Sequence, residues 1–99
     1  MDYINKKVIV RCNRAGVFYG TLKNYDSTTR EAVIADCRQL WYWSGAATLM
    51  EMATSGVKRP RECKFTVFVP EVVVMEVIEV LEVTERAQKS IEEVAIWRA

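Results

Sequence analysis

The chain predicts a single α+β domain, a mainly antiparallel β-sheet with two short α-helices, and three observations predict it. Its 99 residues suffice for one core and leave no room for a second domain. Its β-branched runs are short and separated by Asn, Gly and Pro punctuation. Only two segments carry helix start and stop signals, and strands and helices do not alternate as a parallel sheet requires. Hydrophobic residues at 51% and charged residues at 27% complete an ordinary globular balance, with neither repeats nor low-complexity runs.

Residues 7–12, Lys-Val-Ile-Val-Arg-Cys, read as the first strand. Asn13-Arg14-Ala15-Gly16 supplies a turn, because Asn and Gly tolerate positive φ, and residues 17–22 return as the hairpin partner. A second polar turn spans 24–29. Residues 31–37 form a third strand that continues, after a bend, through Arg38-Gln39-Leu40-Trp41-Tyr42-Trp43. Ser44 is placed to cap a helix over 45–54 that stops at Gly56, and an irregular basic loop over 57–63 follows, where Pro60 forbids continuation of the helix. Residues 64–69 alternate at period two and stop or bend at Pro70. Residues 71–83 are strongly β-branched and read as one long strand or two. Glu76, Glu79 and Glu82 recur every third residue there, which neither strand nor helix periodicity explains without a bulge near Met75 and Glu76. Thr84 caps a second helix ending at Ser90 or Glu93, and residues 94–97 close the domain as an edge strand.

The net charge of +1 conceals a split. Residues 1–70 carry eleven Lys and Arg against six acids; residues 71–99 carry three against seven glutamates. Such polarity suits a basic body that meets an anionic ligand and an acidic portion that adds solubility or a complementary self-contact. A solvated acidic strand beside scattered lysines is the plainer alternative. There is no histidine, which removes Ser-His-Asp and Cys-His catalysis and imidazole metal ligation, and tilts the reading from enzyme to binder. Cys12, Cys37 and Cys63 form no C-x-x-C pair and suit inert thiols in a reducing compartment. Residues 1–7 lack a signal-like apolar run and the longest apolar stretch is interrupted by glutamates, so the expectation is a cytoplasmic protein with no membrane partner and no cofactor.

Three clusters are candidates for ligand contact. Arg38, Trp41, Tyr42 and Trp43 place a guanidinium beside three consecutive aromatics. On a strand these cannot all face one core, so at least one ring is offered to a planar ligand. The competing reading puts Trp41 and Trp43 in the core with Tyr42 over a seam. Arg11, Asn13, Arg14, Ala15 and Gly16 form a hairpin turn able to approach a nucleotide closely and neutralise phosphates, although a surface hairpin with arginines looks the same. Lys58 and Arg59, with Lys64, add a basic loop that either clamps a pyrophosphate or is simply solvated. The glutamates after residue 70 show no spacing of a metal or carboxylate-pair site.

The pattern Arg11-x-x-x-Ala15-Gly16-Val17-x-x-Gly20, with Arg38-x-Leu40-Trp41-Tyr42-Trp43-x-Gly45-Ala46-Ala47, Gly56-Val57-Lys58 and Cys63-Lys64-Phe65, resembles a family of small phage and prophage proteins of unknown function. That family is similar to the first-described Thoeris anti-defence sponge proteins. The resemblance spans nearly the whole chain, with one departure at Asn13-Arg14, where relatives more often carry Tyr- or Ser-like residues. It implies a viral protein in the cytoplasm of an infected bacterium that binds cyclic ADP-ribose isomers made by TIR-domain enzymes and holds them uncleaved. It also implies a homodimer with pockets near the subunit interface, and in some members a hexamer with sites for cyclic di- or trinucleotides. The alternatives are a nucleic-acid-binding or phage-assembly module and a small histidine-free phosphodiesterase.

Overall fold

Alternating Val8, Val10 and Cys12 against Ile9 and Arg11 make β1 (Lys7–Cys12) two-faced, and β2 (Gly16–Asp26) pairs with it antiparallel as the expected hairpin. The chain then forms β3 (Glu31–Tyr42), α1 (Leu49–Ser55), a 3-10 turn (Pro60–Glu62), β4 (Lys64–Phe65), β5 (Val69–Val74), β6 (Val77–Glu82) and α2 (Glu85–Glu93). The computed structural model describes residues 2–99. Its strands form one antiparallel sheet, ordered β4-β3-β2-β1-β6, with β5 sharing the outer edge of β3 with β4. The fold class is therefore the expected one, and the radius of gyration of 12.4 Å is that of a single unit of this length.

β5 and β6 lie on opposite edges of the sheet, yet only Met75 and Glu76 join them. Three virtual bonds of 3.8 Å span no more than about 11 Å, so the edges must come together at that end and the sheet curls into a half-closed barrel. Glu76 makes the corner with a left-handed φ of 56°. The barrel interior holds Val8, Val10, Cys12, Leu22, Ala32, Ile34, Cys37, Val74 and Val77. The other face of the sheet carries Ile9, Tyr19, Leu40 and Phe65 against both helices, through Met52, Ala53, Ala87 and Ile91.

A bulge moves β3 between these two cores. Asp36 takes φ 48°, and Asp36 and Cys37 together face Gly20 where the β2–β3 register shifts. Ile34 and Cys37, three apart, thus point into the barrel, whereas Arg38 and Leu40 turn to the helical side. Gly20 is required at this point: a Cβ there would lie 2.6 Å from Ile34 Cγ2 and 2.7 Å from the Ala35 carbonyl oxygen.

Both helices are capped by threonine. Thr84 Oγ1 accepts from the Ala87 N–H at 3.1 Å and donates to the Thr54 carbonyl at 2.7 Å, which ties the start of α2 to the end of α1. Thr48 Oγ1 accepts from the Glu51 N–H while Glu51 Oε1 accepts from the Ala47 N–H at 2.7 Å. The expected cap at Ser44 is therefore corrected. Gly45, at φ 88°, is pinned against the backbone of Lys58 and Arg59 and accepts the Lys58 N–H, so residues 45–47 cannot wind and the helix starts at Leu49.

Other strand limits also differ from expectation: β2 runs on to Asp26, into the turn expected over 24–29. The run at 64–69 is interrupted at residues 66–68, where the chain bends around Arg38. Pro70 does not end a strand but is the second residue of β5, an edge position where its missing N–H is tolerated. The bulge expected near Met75 and Glu76 is the barrel corner, which settles the choice in favour of two strands. Residues 94–97 make only an isolated parallel bridge between Phe65 and Ile96 and form no strand.

Gly20→Ala should cost about 1–3 kcal/mol through overpacking against backbone. Urea unfolding measures it, and an unchanged midpoint would show that the sheet relaxes around the bulge.

Candidate nucleotide-binding surface

The ends of β3 and β4 build an exposed aromatic platform. Tyr42 opposes Lys64 in the antiparallel register, which sets the two side by side. The segment after α2 then lies against β4, where the Trp97 N–H donates to the Phe65 carbonyl at 2.9 Å. Trp97 is thereby stacked on Trp41, the rings 9° from parallel with centroids 6.2 Å apart. Trp41 is 60% exposed and Trp97 43%. Lys64 Nζ lies 5.5 Å from the Trp97 ring and 5.9 Å from that of Tyr42. The group joins two parallel indoles, a phenol and an ammonium with no carboxylate within 4.0 Å among the described residues. It offers stacking for a base and a cation for a phosphate.

Arg38, expected beside these rings as a ligand contact, is instead 1% exposed. Its Nε donates to the Thr66 carbonyl at 3.0 Å. Nη1 donates to the carbonyls of Ile91 and Val94 at 2.9 and 3.0 Å, and Nη2 to that of Phe65 at 3.4 Å. Four of its five N–H groups donate to carbonyls of the chain, and the Asp36 bulge is what turned it inward.

The other candidates are dispersed. Arg11 pairs with Glu79 at 3.1 Å and borders a groove of about 440 Å³ with Val17, Trp43, Leu49 and Met50. Trp43 is half-buried against the helical core, so its role is packing, and only Trp41 and Tyr42 of the three aromatics are presented outward. Asn13, Arg14 and Ala15 border a separate hollow of about 400 Å³ with Phe18 and residues 72–76. The Gln39 amide lies between that turn and β3: it donates to the Ala15 carbonyl at 3.3 Å and stands against Gly16. Lys58 and Arg59 line a shallow notch of about 330 Å³ with Gly45, where Arg59 Nη1 donates to Ser44 Oγ at 3.1 Å. Sequence reasoning misses Trp97 as a site residue, because an edge strand over 94–97 gives it no partner; its place beside Trp41 comes from the Phe65–Ile96 bridge.

The charge split is met in part inside the molecule. Glu79 meets Arg11, Glu82 meets Lys6 at 3.6 Å and Glu92 meets Lys7 at 3.5 Å, while Glu76 accepts from the Asn13 amide at 3.4 Å. The three-residue spacing of glutamates on β6 thus serves pairing with β1 and the hairpin, with Ile78 as the extra residue at the register shift. Arg14, Lys58, Arg59 and Lys64 have no carboxylate within 4.0 Å among the described residues.

The buried titratable groups are held protonated. Burial first, then the Glu92 carboxylate that accepts the hydroxyl at 2.5 Å, pushes Tyr19 far above its ordinary value. Burial, reinforced by nearby Cys12, pushes the Cys37 thiol up to about 12, and burial also raises Cys12 and Cys63. These thiols are poor nucleophiles at neutral pH. Among the described residues no cluster of three or more Cys, Asp or Glu could hold a metal ion, and no helix is long and apolar enough to cross a membrane.

Residues 5–91 match a family described as a domain of unknown function, DUF6948. The chain belongs to that family. No curated protein matches it. The match takes in the whole sheet and most of α2 but stops before Trp97, so one ring of the platform lies outside the family's matched span.

Arg38→Met should destabilise by about 3 kcal/mol or more, because up to four buried carbonyls lose their donor; a denaturant midpoint equal to that of the native protein would refute the role. Stability should also fall as pH rises above 9, since the unfolded chain releases thiol protons from 9.0 and the Tyr19 proton from 10.0 while the fold retains them. Tyr19→Phe should remove only the part of the decline that begins near 10, as read from urea midpoints across that range.

Proposed function

We propose that the protein is a non-enzymatic nucleotide sponge that captures cyclic ADP-ribose isomers and withholds them intact, as a phage anti-defence protein would in the cytoplasm of an infected bacterium. The observation that carries this reading is the pair of parallel, solvent-facing indoles with Lys64 beside them. Exposed tryptophans in a small domain are costly to leave in water, and stacking on a base contributes roughly 1–3 kcal/mol per base. The resemblance of the Arg11 to Gly20 and Arg38 to Ala47 patterns to Thoeris anti-defence sponges supplies the ligand class. Histidine is missing and the thiols are held protonated, so the residues around the platform favour capture over cleavage.

Arg14, Lys58 and Arg59 lie on other parts of the surface. In the homodimer or hexamer that the resemblance implies, such residues from a second copy complete the phosphate contacts. Lys6, Lys7 and Arg11 are each paired with a glutamate, which lowers what they offer to the phosphates of a long nucleic acid.

The test is to mix purified protein with a cyclic ADP-ribose isomer, remove free ligand, denature by heat and identify what is released by mass spectrometry. Intact ligand is the expected result; none retained refutes the reading, and a cleaved product converts it to a phosphodiesterase. Trp41→Ala should fold normally and weaken retention about tenfold or more, whereas Trp43→Ala should chiefly lower the melting temperature.

A further inference from the structure

We infer that Trp97 is the movable jaw of an aromatic clamp whose fixed jaw is Trp41, and that a planar base enters between the two indoles. This rests on the nucleotide-binding reading and names how that site opens and closes. The two rings are supported very differently. Trp41 sits on β3 between Leu40 and Tyr42, both paired to β4, and Leu40 is buried in the helical core. Trp97 belongs to a strap whose attachment changes abruptly along its length. Val94 is buried, with its carbonyl held by Arg38, whereas Ala95, Ile96, Trp97 and Arg98 are all exposed. Beyond Val94 the strap's one backbone hydrogen bond to the body, among the described residues, is the Trp97 N–H to the Phe65 carbonyl, beside the Phe65–Ile96 bridge. The hinge is therefore at Val94 and Ala95, and what holds the jaw shut is one hydrogen bond, the indole stack and the Lys64 cation over the ring.

The geometry suits insertion. A ring between two others needs about 7 Å between them, twice the ~3.5 Å contact of carbon atoms. The indoles are already within 9° of parallel with centroids 6.2 Å apart, so the swing of the strap that admits a base displaces Trp97 relative to Trp41 without reorienting either ring. Without ligand, Trp97 covers Trp41 and reduces the apolar surface exposed. With a base between them, both of its faces are covered, and Lys64, near both Trp97 and Tyr42, is positioned for the phosphate. Closure of the jaw slows escape, which is the property a sequestering protein requires.

The test uses the full chain with two probes, a cyclic ADP-ribose isomer and adenosine 5′-monophosphate. Readouts are dissociation rate, the far-ultraviolet exciton couplet of the indole pair, and hydrogen exchange at the Trp97 amide. The free native protein should show the couplet, and Trp97→Ala and Trp41→Ala should both abolish it. At saturation the couplet should change and the Trp97 amide should become protected. Trp97→Ala should release ligand about tenfold faster or more, and Trp97→Phe should restore most of the difference. Equal release rates for native protein and Trp97→Ala, or a couplet unchanged at saturation, overturn the clamp and leave the sponge reading standing. Binding of the monophosphate with these signatures but no retention of the cyclic isomer sustains the clamp and overturns that ligand assignment. Binding of neither probe overturns both.

Discussion

The molecule is organised around one buried cation. The Arg38 guanidinium joins three segments that are distant in sequence: the β4 region through the carbonyls of Phe65 and Thr66, the last turn of α2 through Ile91, and the strap through Val94. No carboxylate takes part. The charge is balanced by carbonyl dipoles, two of them at the C-terminal end of a helix where a cation is favoured. Phe68 covers it at 4.5 Å and Phe65 flanks it at 5.5 Å. Burial pulls its pKa down, but a guanidinium stays charged where an ammonium would lose its proton. Only the planar fork reaches four carbonyls from one Cα. It ties the end of α2 and the start of the strap to the outer edge of the sheet, next to the aromatic platform.

A second constraint is the pairing of the acidic third of the chain with the first strand. Viewed along the sequence, the two charge balances suggest a surface that waits for a partner. In three dimensions Glu76, Glu79 and Glu82 run beside β1 and its turn and take up Asn13, Arg11 and Lys6. Each exposed pair contributes little to stability. Their larger effect is to seat these glutamates along β1 and its turn, while Lys64, beside the rings, is among the cations with no carboxylate within 4.0 Å among the described residues.

Element types were legible in the sequence because they rest on local signals. The hairpin at Asn13 to Gly16, the Thr84 cap and the corner near Glu76 all announce themselves within a few residues. What failed was non-local. Ser44 looks as good a cap as Thr48 until Gly45 is found pressed against Lys58 and Arg59. Arg38 looks like a surface residue beside aromatics until the Asp36 bulge reverses the faces of β3. Of the site, alternation along the strand predicts that at least one of the neighbouring rings faces away from the core, but the exposure of both Trp41 and Tyr42 accompanies the register shift between Leu40 and Tyr42 against β4, which alternation does not report. Trp97 was invisible as a partner because its stack depends on a parallel bridge across more than thirty residues of chain, and no periodicity reports that.

The two-residue corner between β5 and β6 sets an order of assembly. β1, β2 and β3 are joined by short turns and can form early from contacts near in sequence. β6 must pair with β1 about seventy positions away, a loop whose closure entropy is recovered only once β5 has docked on β3 and carried the corner into place. Chain closure is therefore the late event. As synthesis proceeds from the N-terminus, the apolar inner face of the meander has no strands to close it until β5 and β6 emerge.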